Sequence, residues 1–599
     1  MEQYSRPRLR LFENRRRPRP PGLWLKPMNQ IVTDSNMNDG HADKLAAAEA
    51  LATQVLQVEP GNAEARHALG LIRMRQGRWP EAVALLQAAR DSDPARSDYA
   101  RNLVHALNGL AKTEADGGAF EAARLALQRV LSYLPGDADY LCRMSFVLTR
   151  MGRPHEGLAA AQLAARAAPE GAEPEDKAGL AYLGLGKTEL AIKAFEKALE
   201  RDPDYAAAHI NLGNAFLQAG AADTAIAYYD QAILRHPGNA QAFSNLGLAY
   251  AAKFRFADAE GAFRRAIAAD PDFPEAHFNL SRILLMQGNY KDGWAENEWR
   301  WKCPDFPSTW RQFPYPHWQG EALAGRTILV WSEQGIGDEI MFANPIPDLL
   351  EGGAKLVLEC NERLAPVFQR SFPGAVVAPR LDPPDPRIAA AGIDFQAPLA
   401  SLCTYYRTSK KSFANNTGKY LVPDPERGEE LRRRYAALRP GLIVGICWRS
   451  GNPIVGHERS APLPLWREIL TRAGCNFISL QYGETAADIE AARIAYGADI
   501  YVDDDVDPLQ NAEDWFAQVA AMDLVISVDN STIQVSGSLG IPTFTLLSQA
   551  PEWRFGLDGE DHDWHPSIRV FRQTEAGRWD DVFEGLAKAF SAHLEGRAA

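Results

Sequence analysis

Residues 523–547 read Asp-Leu-Val-Ile-Ser-Val-Asp-Asn-Ser-Thr-Ile-Gln-Val-Ser-Gly-Ser-Leu-Gly-Ile-Pro-Thr-Phe-Thr-Leu-Leu. An apolar run, a polar turn, a short helix and a second apolar run in that order predict one βαβ unit. The first strand, Leu524 to Val528, ends at Asp529; Asn530, Ser531 and Thr532 follow, residue types that cap a helix and leave its first N–H groups free. Such a helix start attracts anions. Ser536, Gly537 and Ser538 keep the helix thin against its sheet, and Gly540 with Pro542 ends it before the strand Thr543 to Leu547. A ligand would sit above Asp529, at the carboxyl end of a parallel strand. The same stretch also suits a plain βαβ turn with a good cap and no ligand.

Upstream, the same grammar recurs from residue 327. Thr327 to Trp331 reads as a buried strand, Ser332-Glu-Gln-Gly335-Ile-Gly337-Asp338 as a glycine-bearing loop and Glu339 to Leu350 as a helix. Lys355 to Cys360, Asn361 to Phe372 and Ala375 to Val377 continue as strand, helix, strand. A polar, proline-containing segment, Thr408 to Arg427, interrupts the alternation. A second set then runs through strands at Leu442 to Cys447, Phe477 to Leu480 and Ile500 to Val502, with helices at Pro464 to Arg472, Thr485 to Tyr496 and Asn511 to Ala521. Trp579 to Leu594 reads as a terminal amphipathic helix. Alternating strands and helices make parallel sheets, and two Rossmann-like halves leave a cleft between facing strand ends.

Residues 43–292 follow a different rule. Prolines at 60, 94, 135, 169, 203, 237 and 271 are spaced 34 apart, with one step of 41. A 34-residue period is that of the tetratricopeptide repeat, and Leu212-Gly213 with Leu246-Gly247, Ala225 with Ala259, and Tyr229 with Phe263 keep step. The long step places an insertion near Leu107 to Gly118, as a longer loop or an extended helix. Such repeats stack into a solenoid whose concave face binds partners, or serve as a spacer or dimerisation module. Between them and the sheets, residues 293–326 form a tryptophan-rich junction. Trp294, Trp299, Trp301, Trp310 and Trp318, with Trp331 just beyond, suit packing of the solenoid on the next domain better than a sugar-stacking platform. The expected order is thus a tail (1–42), the repeats (43–292), the junction (293–326) and two α/β halves (327–423 and 424–599).

The tail carries eight Arg or Lys in its first 27 residues among several prolines and is expected to be disordered; Met28 and Met37 are alternative starts. A net charge of -13 excludes a nucleic-acid backbone binder. The six cysteines, Cys142, Cys303, Cys360, Cys403, Cys447 and Cys475, are widely spaced, which suits reduced thiols rather than disulfides or zinc. No apolar run is long enough to span a membrane, and a soluble, cytoplasmic protein is expected. The run Asp503-Asp504-Asp505 reads as a solvated turn rather than a metal site.

Trp331-Ser-Glu-Gln-Gly-Ile-Gly-Asp338, Gly451-Asn452-Pro453 with Arg459-Ser460, and Leu524 to Ser531 through Leu539-Gly-Ile-Pro542 carry a resemblance. In this order behind such repeats they resemble bacterial tetratricopeptide-repeat glycosyltransferases. That catalytic half is similar to heptosyltransferases of GT-B fold and, more distantly, to protein O-GlcNAc transferases. The resemblance implies a metal-independent, inverting transferase without a cofactor, using a nucleotide sugar as donor and a protein, flagellin among the options, as acceptor. It makes Asp338 the general base and Arg459, with Ser450 nearby, the group that neutralises the leaving phosphate. Gly335, Gly337, Asp529, Asn530, Ser531, Thr532 and Gln534 complete the nucleotide-sugar site. Relatives commonly carry His where this chain has Gln534, and Gln hydrogen-bonds but donates no proton at neutral pH. A scaffold with a degenerate catalytic half, or an enzyme of surface glycans such as lipopolysaccharide, are the alternatives.

Asn211, Asn245 and Asn279 fall at the same place in three successive repeats, 34 residues apart. On the concave side they would form a row of carboxamides able to hold a peptide backbone, resembling the asparagine ladder of O-GlcNAc transferases. Lys177 and Arg143 occupy that place in the preceding repeats and would favour an acidic stretch of the acceptor. The alternative is that these asparagines only link neighbouring helices.

Overall fold

The computed structural model describes residues 41–413, 418–452, 455–549 and 552–598. The expected tail, with Met28 and Met37, lies outside them apart from His41 and Ala42, which open the first helix; so does Pro453. The chain forms two compact units, one up to Arg235 and one from His236 onward.

The first unit is a run of helices. His41–Val58 is followed by antiparallel pairs, from Ala63–Arg75 with Trp79–Ser92 to Ala206–Gln218 with Ala222–Arg235. A glycine on the first helix of a pair lets an aromatic ring of the second lie directly on its backbone. A Cβ at Gly179 would meet Phe195 at 2.3 Å, and one at Gly213 would meet Tyr229 at 2.4 Å. The tight turn inside each pair needs left-handed backbone, and Gly152, Gly186 and Gly220 supply it with φ between 68° and 79°. The 41-residue step resolves into a longer helix, Ser97–Asp116 (20 residues), where the neighbouring first helices have 13.

The second unit begins with two more such pairs, Ala240–Ala252 with Phe256–Ala269 and Pro274–Met286 with Tyr290–Asn297. Gly247 takes Phe263 as Gly213 takes Tyr229, while Phe254 occupies the left-handed turn position usually held by glycine, at φ 57°. By contact, therefore, residues 236–292 belong with the α/β region. The tryptophans of the junction are packing groups. Trp294 is buried against Phe342, Trp553 and Trp564 and donates its indole N–H to the Arg407 carbonyl at 2.9 Å; Trp301, Trp310 and Trp331 stack edge to face or tilted at about 5 Å.

Two parallel sheets follow. The first has the order β3-β2-β1-β4, from β1 (Thr327–Trp331), β2 (Lys355–Cys360), β3 (Val376–Pro379) and β4 (Phe395–Pro398). The second has the order β10-β9-β8-β5-β6-β7. Its strands are β5 (Leu442–Cys447), β6 (Cys475–Ser479), β7 (Ile500–Tyr501), β8 (Leu524–Val528), β9 (Thr543–Leu547) and β10 (Ile568–Arg572). In each sheet the chain winds away from one strand and returns to its other side, giving switch points between β1 and β4 and between β5 and β8. Ligands of doubly wound sheets bind at such points, beyond the carboxyl ends of the strands.

Several elements differ from the sequence reading. The helix expected over Glu339 to Leu350 is two, Ile336–Phe342 and Ile346–Glu351, because Pro345 and Pro347 cannot donate within it. Pro464 lies in a 3₁₀ turn, Leu463–Trp466, ahead of a short helix, Arg467–Leu470. Strands β4 and β10 are additional. Among the described residues no helix is long and apolar enough to cross a membrane, and the six cysteines are free.

Candidate functional site

Beyond the carboxyl ends of β1, β5 and β8 the second unit holds a cleft of about 650 Å³, a volume suited to a small-molecule ligand. The loop after β1 forms one side. Its Glu333 is buried and clamped by two nitrogens of the Arg300 guanidinium, at 2.8 Å each, so the junction fixes this loop from below. Gln334 then turns with φ 63°, its N–H donating to the Ser308 hydroxyl at 2.7 Å. Gly335 caps the helix Ile336–Phe342, and Asp338 in its first turn accepts the Gly335 N–H at 3.4 Å. The other Asp338 oxygen pairs with Arg554 at 3.0 Å.

The facing side comes from the second sheet. Asn530 caps the helix Ser531–Ser538, accepting the Thr532 N–H at 2.9 Å, while its amide nitrogen reaches the Cys447 sulfur at 2.9 Å and the Arg449 carbonyl at 3.3 Å. This side chain ties the end of β8 to the end of β5 across the switch point. Asp529 is buried, and burial pushes its carboxyl up against the opposing pull of Arg459, which pairs with it at 3.1 Å. Arg459 also holds Glu552, whose second oxygen lies 3.6 Å from Arg282. Burial alone would raise the Glu552 carboxyl; the guanidiniums of Arg554, Arg282 and Arg459 outweigh it and bring it to about 2. Arg554 is held charged by Asp338, Glu552 and Asp529 in spite of its own burial.

The two sides approach so closely that a Cβ on Gly337 would lie 3.2 Å from the Ser531 hydroxyl oxygen. Deeper in, Gly537 leaves room for His565, whose ring nitrogen Nε2 meets the Gln534 amide oxygen at 3.0 Å; burial, with Arg554 nearby, lowers the His565 pKa to about 3. The imidazole is therefore neutral at pH 7 and donates to that oxygen. The third wall is the helix Pro274–Met286 of the last repeat, through Glu275, Phe278, Asn279 and Arg282.

Of the residues singled out in the sequence, Gly335, Gly337, Asp338, Ser450, Arg459, Asp529, Asn530, Ser531, Gln534 and Asn279 line this one cleft. Thr532 does not: its side chain is fully buried in the body of the domain. Asn245 lies one repeat earlier in the same unit, on the helix Ala240–Ala252. Asn211 belongs to the first unit, where its amide donates to Asp176 at 2.7 Å. Lys177 pairs with the same buried carboxylate at 2.9 Å, and Arg143 donates to Asn108 at 2.6 Å. Asp176 thus takes up Lys177, while the partner of Arg143 is a neutral carboxamide. Arg282, Glu552, Arg554 and Tyr482 were not read from the sequence. Tyr482 accepts the Gly451 N–H at 3.0 Å and supports the Ser450 loop. Arg282 lies in a repeat helix and the other three in segments without a motif, so no local signal marked them.

Among the described residues no group of three His, Cys, Asp or Glu could hold a metal ion. Arg434 lies on both Asp503 and Asp505, at 2.8 and 2.7 Å, in the acidic run.

The tetratricopeptide repeat family matches residues 41–107 and, in overlapping windows, 177–240, 222–271 and 244–293. Protein FlbA of Caulobacter vibrioides is 32% identical over 346 residues, which cover 56% of this chain and 57% of that protein. The chain thus spans a little over half the length of the curated relative it matches. Two solved structures align with lower likeness. TTC0263, a tetratricopeptide repeat protein of Thermus thermophilus, is 20% identical over 30% of this chain and 99% of its own, with a TM-score of 0.29. MamA of Desulfovibrio magneticus is 24% identical over 28% and 94%, with a TM-score of 0.23.

Proposed function

We propose that this chain is a glycosyltransferase of GT-B type that moves a sugar from a nucleotide-sugar donor to a hydroxyl of a protein held by its repeats. One observation carries the reading: the switch points of two doubly wound sheets open on a single cleft whose third wall is the last repeat helix, with Asn279 at the same repeat place as Asn211 and Asn245. A donor seated on the second sheet and an acceptor arriving along the repeats would meet there.

In the proposed reaction the acceptor oxygen attacks the anomeric carbon on the face opposite the nucleotide and inverts it. Asp338 takes the hydroxyl proton. The nucleotide leaves with its phosphate charge, which Arg459 and the N–H groups at the start of the helix Ser531–Ser538 stabilise more strongly as it develops. Flagellin serine or threonine is the acceptor implied by the sequence resemblance and is proposed on that ground alone.

The test incubates the purified chain with a panel of nucleotide sugars, with and without flagellin, and reads free nucleotide and the mass of the acceptor. Acceptor-dependent nucleotide release with a matching mass increase is expected. Binding of nucleotide sugar without release from any donor would instead identify a scaffold, a reading favoured by the ion pairs that occupy both Asp338 and Arg459.

A further inference from the structure

The cleft as it stands is poorly suited to an anion. Its lining carries five carboxylates (Glu275, Asp305, Asp338, Asp529 and Glu552) against three guanidiniums (Arg282, Arg459 and Arg554), a balance of -2. A ligand with a diphosphate needs a place where guanidiniums stand together without an anion between them. Arg459 and Arg282 stand together, and Glu552 lies between them.

We infer that Glu552 is an internal occupant of an anion seat built by Arg459 and by Arg282 of the last repeat, and that a phosphate-bearing ligand enters by displacing it. The assignment of that ligand as a nucleotide sugar rests on the proposed function; the seat itself rests on geometry. Glu552 gives one oxygen to each guanidinium, the way a phosphate bridges two arginines with two of its oxygens. The seat is also open enough to solvent for an exchange. The Arg282 side chain is 49% exposed and that of Glu552 20% exposed, whereas Asp529, the second partner of Arg459, is 7% exposed and stays to orient Arg459. Displacement would free Arg282 from its carboxylate at the moment the donor binds. Since Arg282 shares its helix with Asn279, one helix of the last repeat would then touch both substrates.

Inorganic pyrophosphate is the probe, titrated by calorimetry into the full chain at low salt, with the nucleosides uridine and cytidine as phosphate-free controls. Glu552→Gln keeps the shape and removes the charge; it is expected to tighten pyrophosphate binding about tenfold or more, the worth of one charge-assisted contact, and to leave nucleoside binding unmoved. Arg282→Ala added to Glu552→Gln should return most of that gain, with unchanged circular dichroism showing that both variants fold. Equal or weaker pyrophosphate binding in Glu552→Gln would overturn the inference, making Glu552 either a fixed support of Arg459 or itself a contact to substrate. Sugar turnover measured alongside separates the two readings: tightening without turnover from any donor removes the transferase and leaves the seat, and turnover without tightening removes the seat and leaves the transferase.

Discussion

Asp338 and Glu339 are neighbours with opposite environments. Asp338 reaches the cleft, where Asp338→Asn keeps the Arg554 contact and loses the proton acceptor. Transfer should fall about 10²- to 10⁴-fold with the circular dichroism of the folded chain retained, and a variant keeping more than about a tenth of the rate would remove Asp338 from the base role. EDTA should leave transfer unchanged, and loss restored by Mg²⁺ or Mn²⁺ would overturn the metal-free reading. Glu339 points the other way, fully buried, accepting the Asn361 N–H at 2.8 Å, and burial pushes its carboxyl from 4.5 up to about 8. Between those values the unfolded chain has released the proton that the folded chain keeps, so this group lowers stability as pH rises from about 4.5 to about 8. Glu339→Gln keeps the acceptor and removes the titration. Its gain in stability should be near zero at pH 4 and largest at pH 8, on the order of a few kcal/mol, read from melting at each pH. A gain independent of pH would show that Glu339 is already ionised in the fold.

Among the helices and strands, two glycines on facing helices separate function from stability. A methyl at Gly537 would stand 2.3 Å from the Cγ of His565, a buried ring held by Gln534, and neither can retreat. Gly537→Ala should cost about 1–3 kcal/mol in chemical unfolding. A methyl at Gly337 meets only Ser531, its hydroxyl nearest at 3.2 Å and free to rotate. Gly337→Ala should unfold near the parent's denaturant concentration yet weaken nucleotide binding, because the methyl and the turned Ser531 hydroxyl take up room between the two helix starts. Equal destabilisation by both would mean that the Gly337 contact is part of the core. The elements legible in advance were those with one strong local signal. Strands β1, β2, β5, β8 and β9 are short, mostly apolar runs between turn residues, and their ends fell where the pattern placed them. The helix over Glu339 to Leu350 was misread because its apolar period hid two prolines, and β10 because it alternates exposed Arg569 with buried neighbours beside a stretch of turn residues.

Across the second unit as a body, the repeats and the cleft share one helix. Asn279→Ala should reduce transfer to protein at least about tenfold more than it reduces hydrolysis of the donor, if its carboxamide, which lines the cleft, holds the acceptor as proposed. Proportionate loss of both activities would place Asn279 in the donor site instead. Residue order alone was enough for the period of the solenoid and the succession of the two parallel sheets, since both follow from local spacing: prolines and small or aromatic residues recurring at 34, and apolar runs separated by capped turns. It also marked Asp529, the polar residue that ends an apolar strand, whereas Asp338 and Arg459 were singled out through the family resemblance. What these groups face was settled by the folded chain. Arg554 reaches Asp338 across 216 positions, Glu552 reaches Arg459 across 93, and the last repeats join the α/β unit. Ion pairs between loops depend on how two sheets and a helix come together, and such distances leave no periodicity along the chain.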